Sequence, residues 1–441
     1  MFRPTGFADL AGRRVGVFGY GVEGRATEAR LRLVGAQCVL VDDDPEVGVL
    51  VTDRGGLDAL ATCAAVVKSP GIPRRRADVL ALEQTVSVVS ALDLWLHEVD
   101  RRRVIGVTGT KGKSTTTALV DFALRCLGEP SQRLGNIGQP PYDPAVDTSD
   151  GWLVVEISSF QCVDVTIAPR IVVVTSLGAD HLDWHGSLDQ YHRDKLSITR
   201  AAGPHVTLVP TDPALAQRRS LLGGDVVTIV RNDTGLAARL HLLGVHNDSN
   251  VALALAAVAH ATGRPVAEVQ RAVEERADDF VPLAGRLTLA ATLERGARRW
   301  RFVDDGLATA PLPTIAALAV FTGDPVALIV GGFDRGVDYD DLARALAARR
   351  RPTTVITTGA AGDRIGSVVA ALAPSTPRYA ARDLDDAVSY AQRSLPDGGV
   401  VLLSPAAPSF DRYRNWEARS ADFARAARAW ITESLGRDSN P

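Results

Sequence analysis

The chain has 441 residues, a formal net charge of -3, 23% charged residues and 46% hydrophobic residues. This length suits about three domains of roughly 150 residues, and the composition is that of an ordinary soluble globular protein. The small net charge argues against nucleic acid or an anionic membrane as a bulk partner. The sequence has no signal peptide and no apolar run long enough to span a bilayer, so we expect a cytoplasmic protein, which we take to be monomeric.

Cysteine and lysine usage narrows the possible chemistry. The four cysteines form no CxxC pair, which indicates neither a zinc site nor a disulfide framework. Of the 49 basic residues only four are lysines, namely Lys68, Lys111, Lys113 and Lys195. A mutational bias toward arginine codons explains the excess of arginine. Under such a bias, a retained lysine indicates a position that arginine does not suit.

The first predicted elements are a strand, a glycine turn, a helix and a second strand. An apolar strand at 14–18 precedes the sequence GYGVEG at 19–24, and the second strand, at 38–41, ends in three aspartates. This order is typical of a Rossmann-type nucleotide site, with a phosphate at the helix N-terminus and an acid near the ribose. A tight packing corner is the structural alternative, and a dinucleotide-dependent dehydrogenase is a rival function.

A glycine-rich loop between a strand and a helix is the strongest chemical signal. It reads GVTGTKGKST at 106–115, after a buried strand at 104–107 and before a helix predicted at 116–126. Glycines let backbone amides surround phosphate oxygens, Lys113 supplies a point charge, and Ser114 is placed to hold Mg²⁺. The spacing is a variant of the common P-loop, because position 107 is valine. We predict a nucleoside-triphosphate site formed by Gly109, Thr110, Lys111, Gly112, Lys113, Ser114 and Thr115.

Two further candidate metal ligands follow apolar strands. Glu156 ends a strand predicted at 152–156, and His181 lies beyond a strand predicted at 171–175. Doubly wound sheets bind ligands at the carboxyl ends of their strands. A carboxylate there is costly unless it is paired with a cation, and Mg²⁺ prefers oxygen ligands and shared phosphates. The structural alternatives are a salt bridge for Glu156 and a helix cap or core position for His181.

Strands alternate with helices along the whole chain. In the last third, strands are predicted at 301–303, 326–330, 354–357 and 400–403, with alanine-rich helices between them. This alternation implies parallel, doubly wound sheets. We predict an α/β fold of three domains at 1–97, 98–283 and 284–441. The first and last are expected to be Rossmann-like, and the central one to carry the parallel sheet of a P-loop ATPase.

The motifs together resemble those of the Mur ligases, the cytoplasmic enzymes that build the peptide of peptidoglycan. The loop at 106–115 resembles their ATP loop, and four more segments follow in the family's order: GNIG at 135–138, EISSFQ at 156–161, DHLD at 180–183 and GVHNDSN at 244–250. The match covers nearly the full chain. It implies a ligase that uses ATP to activate a carboxylate as an acyl phosphate, which an amine then attacks.

The resemblance implies roles for individual residues. Lys113, His181 and Lys195 are the implied catalytic residues, and two Mg²⁺ ions are implied to bind at Ser114, Glu156, His181 and Lys195. Lys195 matches the family's carbamylated lysine, and carbamylation needs a neutral amine, which arginine cannot offer. A solvated helix lysine is the alternative. Further implied ATP contacts are Asn247, Asn250, Arg286 and Asp305. Implied contacts to the UDP-linked precursor are Gly19, Tyr20, Gly21, Asp42, Ser69, Gly71 and Asn136.

The C-terminal motifs resemble the glutamate-adding branch of the family. They are SPAAPSFD at 404–411, NWE at 415–417 and GGFDRG at 331–336, and they imply glutamate contacts at Thr309, Arg335, Ser409, Phe410 and Trp416. The implied reaction is the addition of glutamate to UDP-N-acetylmuramoyl-L-alanine during peptidoglycan precursor synthesis. Arginine and tryptophan at 335 and 416 replace the usual lysine and phenylalanine, and GYGVEGRA at 19–26 is similar to the branch that adds L-glutamate. We therefore expect the L enantiomer.

Departures from the family pattern keep two alternatives open. Gly285 replaces the histidine of a PHR element, and Leu307 and Ala310 replace a lysine and an asparagine close to Asp305. One alternative is the D-glutamate-adding enzyme of the same family. The other is a degenerate Mur-like regulatory protein that binds ATP without releasing phosphate, although the retained lysines and metal-ligand candidates argue against it.

Overall fold

The computed structural model describes residues 2–136, 138–231 and 233–438. Ile137, the third residue of the GNIG motif, therefore lies outside the described residues. The chain divides into two compact units: the first contains 1–236 and 246–280, and the second contains 237–245 and 281–441. Among the described residues, no helix is both long enough and apolar enough to cross a membrane.

The N-terminal part of the first unit is a five-stranded parallel sheet. Its strands have the spatial order β3-β2-β1-β4-β5, which is the order of a Rossmann half-sheet. The strands are β1 (Arg14–Phe18), β2 (Gln37–Asp42), β3 (Leu50–Val51), β4 (Ala65–Lys68) and β5 (Ser87–Val89). The helices are α1 (Val22–Leu33), α2 (Leu57–Ala61), α3 (Ala77–Leu82) and α4 (Ala91–Glu98).

The central part of the chain forms a six-stranded parallel sheet in the order β11-β10-β9-β6-β8-β7. Its strands are β6 (Val104–Thr108), β7 (Ser131–Gly135), β8 (Trp152–Glu156), β9 (Ile171–Val174), β10 (Val206–Pro210) and β11 (Asp225–Ile229). The helices up to residue 275 are α5 (Lys113–Cys126), α6 (Ser159–Cys162), α7 (Leu182–His185), α8 (Leu188–Leu196), α9 (Pro213–Gln217), α10 (Leu236–Arg239), α11 (His246–Thr262) and α12 (Val266–Glu275). Apolar residues of β1 and β9 belong to one hydrophobic cluster, so the two sheets of this unit share a core.

The second unit contains a six-stranded mixed sheet in the order β12-β13-β17-β14-β15-β16. Its strands are β12 (Thr288–Arg295), β13 (Arg298–Asp304), β14 (Val326–Gly331), β15 (Thr353–Thr358), β16 (Arg378–Ala380) and β17 (Gly399–Leu403). Its helices are α13 (Pro311–Val320), α14 (Asp340–Ala347), α15 (Gly359–Leu372), α16 (Leu384–Ser394) and α17 (Trp416–Asp438). The pairing of β12 with β13 is antiparallel, and every other pairing in the sheet is parallel.

These three sheets confirm the predicted α/β fold class. The helix boundaries differ from the predicted ones. α5 begins at Lys113 instead of 116, and α11, for which the sequence predicts a helix at 250–261, begins at His246. In both cases the first turn is made of polar residues, which the apolar periodicity used to predict the helices does not detect. The domain boundaries at 97 and 283 stay a prediction.

Candidate functional site

Two glycines of the loop between β6 and α5 have backbone conformations that other residues rarely adopt. Gly109 and Gly112 have φ angles of 141° and 88°, in the region that favours glycine. A Cβ atom at Gly109 would lie 2.1 Å from Thr175 Oγ1, and one at Gly112 would lie 2.6 Å from Asn250 Oδ1. The 14-residue helix α5 begins at the next residue, Lys113, so the positive end of its dipole lies at the loop.

Two lysine side chains converge on one carbonyl oxygen of this loop. Lys113 Nζ donates to Gly109 O at 3.0 Å and to Thr110 O at 3.3 Å, while Lys195 Nζ donates to Gly109 O at 2.9 Å. Burial, followed by the nearby charge of Lys113, lowers the pKa of Lys195 to about 7. A large share of Lys195 is therefore neutral near neutral pH, which is the form that reacts with CO₂.

Glu156, at the carboxyl end of β8, provides an oxygen that fits a cation. Its side chain is buried, and Oε1 accepts a hydrogen bond from Asn136 Nδ2 at 2.9 Å. Within the described part of the chain, Oε2 is buried without a hydrogen-bond partner. A buried carboxylate oxygen without a partner is costly, and a bound cation would remove that cost. Ser114 is also buried, in the first turn of α5.

No group of three His, Cys, Asp or Glu side chains that could hold a metal ion occurs in 2–136, 138–231 or 233–438. Mg²⁺ at nucleotide sites takes one or two carboxylates and completes its shell with phosphate oxygens and water. Glu156 and Ser114 carry oxygen ligands of the kind that such an ion binds.

His181 has a strained backbone and a half-exposed side chain. Its φ angle of 48° is unusual for a residue other than glycine, and it occupies the N-cap position of α7 without a side-chain capping bond. Its ring lies 4.9 Å from the Phe160 ring. Partial burial lowers the pKa of His181, which favours the neutral imidazole that a metal requires. The strain indicates a role for this side chain other than capping.

The predicted ATP contacts at the start of α11 lie against the glycine loop. Asn247 and Asn250 are both buried, and Asn250 Nδ2 donates to Asn247 Oδ1 at 2.8 Å. The close approach of Asn250 to Gly112 brings this pair to the start of α5. Lys111 and Thr115 flank the same turn, with Lys111 Nζ 3.6 Å from Asp180 Oδ2.

Six of the seven predicted precursor contacts lie at the ends of β1, β2 and β4 of the N-terminal sheet or directly after them, whereas Asn136 follows β7 of the central sheet, beside Glu156. Ser69 Oγ donates to Gly19 O at 2.6 Å, and the Tyr20 amide donates to Asp42 Oδ2 at 2.5 Å. A Cβ atom at Gly24 would lie 2.0 Å from Gly19 O, so α1 must pack on the turn through a glycine. The glycine turn, Ser69 and Asp42 therefore share the strand ends where such sheets bind nucleotides. Gly21 precedes α1.

In the second unit, Asp305 directly follows β13. Its Oδ2 accepts from Ser404 Oγ at 2.8 Å, and burial raises the pKa of its carboxyl to about 7. The charge of Arg286 lowers the pKa of the same carboxyl. Arg286 and Asp305, the two predicted ATP contacts of this unit, therefore lie near each other.

The predicted glutamate contacts come from adjacent loops of the second unit. The Phe333 amide donates to Pro408 O at 2.9 Å, which joins the loop that carries Arg335 to the loop that carries Ser409. Ser409 is buried, whereas the side chains of Thr309, Arg335 and Phe410 are exposed. The structure thus joins two of the loops that carry predicted glutamate contacts, and the exposed groups on them are accessible to a ligand.

Arg419 is a central residue of this region that the motifs did not reveal. Its buried guanidinium donates to Gly331 O, Gly306 O and Ala407 O at 3.1–3.2 Å. These carbonyls belong to the three loops in which the glutamate and nucleotide contacts were predicted. Burial lowers the pKa of Arg419 to about 10, so its charge persists. The sequence contains so many arginines that nothing in it singled out Arg419. The burial of its side chain distinguishes it in the structure.

Two departures from the family pattern are in direct contact. Gly285 has a φ of 70°, and a Cβ atom there would lie 2.5 Å from Trp416 Cζ3. The Leu307 amide donates to Gly285 O at 3.1 Å, which fixes the backbone beside the ring. The indole at 416 therefore explains why position 285 has no side chain.

We expect Gly285→Ala to lower the free energy of unfolding by about 2–4 kcal/mol, because the left-handed backbone and the clash with the indole both add cost. Urea denaturation measures the loss. The matched control is Gly296→Ala, since Gly296 also has a positive φ but open space around it, and we expect about 1–2 kcal/mol there. Equal losses at both glycines would contradict the packing argument, as would a failure of Trp416→Phe to recover part of the loss.

The chain is similar to known proteins over nearly its whole length. Residues 107–234 match the family model of the Mur ligase middle domain. The UDP-N-acetylmuramoyl-L-alanine–L-glutamate ligase of Micromonospora sp. is 39% identical over 96% of this chain and 98% of its own length. The protein of the same name from Xanthomonas axonopodis is 37% identical over 95% and 96%. The structure of the UDP-N-acetylmuramate–alanine ligase from Thermotoga maritima covers 95% of this chain and 99% of its own at 18% identity, with a TM-score of 0.53.

Proposed function

Because this chain belongs to the Mur ligase family of ATP-dependent, ADP-forming amide ligases, we propose that it joins L-glutamate to UDP-N-acetylmuramoyl-L-alanine through an acyl phosphate. The observation that carries the proposal is the buried Oε2 of Glu156, which has no hydrogen-bond partner among the described residues. Glu156 pairs with Val107 at the end of β6, the strand that leads into the phosphate loop, and Lys113 and Lys195 both donate to that loop. The charge of Glu156 acts on Lys195, so both belong to one electrostatic site. Anion-binding amides, cations and a spare carboxylate oxygen together suit phosphoryl transfer from Mg²⁺-bound ATP.

The residues of the central domain neutralise charge during the first step. The alanine carboxylate of the precursor attacks the γ-phosphate of ATP, the bond from the γ-phosphorus to the β–γ bridging oxygen breaks, and ADP leaves. Charge gathers on the phosphoryl oxygens during this transfer. Lys113 and the N-terminus of α5 offset that charge from fixed positions, so little reorganisation is needed. A divalent cation held by Glu156, His181 and Ser114 would add charge to the same oxygens. The glutamate amine then attacks the acyl phosphate, the amide forms and phosphate leaves.

We further propose two Mg²⁺ ions and a carbamate on Lys195 as details of this site. With ¹³C-labelled bicarbonate, we expect ¹³C NMR to detect a carbamate carbonyl in the wild type and none in Lys195→Arg. The signal should grow from about pH 6 to about pH 8, because the lowered pKa of Lys195 makes the amine neutral in that window. A signal that falls as the pH rises through this window, or that persists in Lys195→Arg, would contradict the assignment.

The L enantiomer is the finer part of the proposal. It is supported by the names of the relatives. Three proteins that are 36–39% identical to this chain are named as L-glutamate ligases. Arg335 offers two parallel donors to a carboxylate, where the family's usual lysine offers a point charge. The alternatives to an L-glutamate ligase are the D-glutamate-adding enzyme of the family and a Mur-like regulatory protein that binds ATP. A cytoplasmic monomer with three domains bounded near residues 97 and 283 completes the proposal.

The test is phosphate release from ATP with UDP-N-acetylmuramoyl-L-alanine and either enantiomer of glutamate. We expect release to depend on all three substrates and kcat/KM to favour L-glutamate by at least about 100-fold. Preference for the D enantiomer would overturn the stereochemical assignment and leave the ligase intact. Binding of ATP with no release for either enantiomer would favour the regulatory alternative.

A further inference from the structure

One carboxylate of α8 connects most of the segments that make up the ATP site. Arg75 donates two hydrogen bonds to Asp194, at 2.9 Å to Oδ2 and 2.6 Å to Oδ1. Gln190 Nε2 donates to Oδ1 at 2.8 Å, and His185 Nδ1 lies 2.7 Å from Oδ2. Asp194 is buried, and these side-chain contacts fix the position of its carboxylate.

The contacts of Asp194 lead to the predicted metal and phosphate ligands. Asp194 directly precedes Lys195, whose amine is bonded to the phosphate loop. His185 is the last residue of α7, the helix that His181 begins. His185 Nε2 lies 3.1 Å from Ser159 Oγ, three residues beyond Glu156. A change at this carboxylate therefore reaches the three segments that carry those ligands.

Arg75 brings in the loop predicted to bind the UDP-linked precursor. It lies four residues after Gly71 and six after Ser69, in the N-terminal domain. A second bond joins the same loop to α7, because Trp184 Nε1 donates to Gly71 O at 3.0 Å. The precursor loop is thus attached to α8 through Arg75 and to α7 through Trp184.

Stability alone is a weak reason for this ion pair. Taking the Asp194 carboxylate out of water costs about as much as pairing returns, and the half-exposed guanidinium of Arg75 contributes little through its charge alone. His185, Arg75 and Gln190 all contact the Asp194 carboxylate, and they lie in α7, in the loop after Gly71 and in α8. A fixed acceptor shared by several segments sets their geometry.

We propose that Arg75 and Asp194 are positioning residues that couple occupancy of the precursor loop to the arrangement of the ATP site. This inference rests on the proposed function. Precursor bound at Ser69 and Gly71 holds the loop and Arg75 in place, Arg75 holds Asp194, and Asp194 orients Lys195 and α7. By linkage, each substrate then raises the affinity for the other.

The test measures that coupling by binding, without turnover. Isothermal titration gives the Kd of a non-hydrolysable ATP analogue with Mg²⁺, in the presence and absence of UDP-N-acetylmuramoyl-L-alanine. In the wild type we expect the precursor to lower this Kd about tenfold. In Arg75→Gln we expect less than about a twofold effect, and partial recovery in Arg75→Lys, which keeps the charge but not the paired donors. Asp194→Asn should resemble Arg75→Gln.

The matched control is Arg264→Gln, which removes an exposed pair with Glu268 in the same unit and should keep the wild-type coupling. The side chain of Arg75 is 46% exposed, so Arg75→Gln is expected to fold and decides the matter if Asp194→Asn does not. Wild-type coupling in Arg75→Gln, or no coupling in a wild type that turns over L-glutamate, would overturn this inference alone. A wild type that neither binds the precursor nor forms the amide would remove the proposed function as well.

Discussion

Lys113→Met is expected to lower kcat about 10³-fold without lowering the thermal unfolding midpoint. Lys113 supplies a fixed positive charge at the phosphate loop, and loss of one preorganised stabiliser of transition-state charge costs on this scale. The fold should tolerate the change, because the Lys113 charge opposes that of the buried Lys195. Phosphate release at saturating ATP gives kcat, and calorimetry gives the midpoint.

Lys111→Met is the comparison from the same loop. Lys111 is exposed and its amine lies 3.6 Å from Asp180, so we expect a loss of about tenfold or less, since exposed pairs contribute little. Similar losses at both lysines would indicate a general effect of loop charge. Wild-type amide formation in Lys113→Met would contradict the whole account of catalysis.

Glu156→Gln is expected to separate activity from stability. We expect kcat to fall at least about 100-fold and the Mg²⁺ concentration for half-maximal activity to rise, because the amide is a poor ligand for a hard cation. Without Mg²⁺ and ATP, the free energy of unfolding should stay level or rise by about 1–3 kcal/mol, since a buried carboxylate with one oxygen that lacks a hydrogen bond is replaced by a neutral amide. Urea titration in EDTA and activity over a range of Mg²⁺ concentrations measure the two effects.

The matched control for this change is Glu268→Gln. Glu268 is exposed and pairs with Arg264 at 2.7 Å, so its loss should change the stability by no more than about 0.5 kcal/mol and leave the Mg²⁺ dependence unaltered. A clear loss of stability in Glu156→Gln measured in EDTA would mean that Glu156 serves the fold, and the metal assignment would fail.

The sequence predicted those parts of the fold in which local pattern and global structure agree. Apolar runs predicted β6, the strand before the phosphate loop, and its neighbours in the sheet, β8 and β9. Family motifs predicted which residues form the site at the ends of these strands. The antiparallel strand β12 was not predicted, because Thr288–Arg295 is only partly buried and lacks a continuous apolar run. Membership of the Mur ligases, expected from the motifs, is confirmed by the near-full-length relatives.

The residues that hold the site's loops and helices in place, without being predicted to touch a substrate, were not predicted from the sequence. Arg75 and Asp194 are 119 residues apart, and Arg419 bonds a carbonyl 113 positions away. Neither pairing follows a helical or strand period, and an arginine-rich sequence gives no local sign of which guanidinium is buried. Such contacts depend on tertiary packing, which local sequence patterns do not reveal.

The contact between Trp416 and Gly285 has a consequence for inhibitor selectivity. The indole fills space that a side chain at 285 would need, so one indole occupies the place of the phenylalanine and the histidine of the family pattern. A compound with an aromatic group stacked on that indole would gain contact area here and would collide with the histidine where it is present. Narrow-spectrum compounds could therefore be sought by screening for molecules that lose potency when Trp416 is shortened.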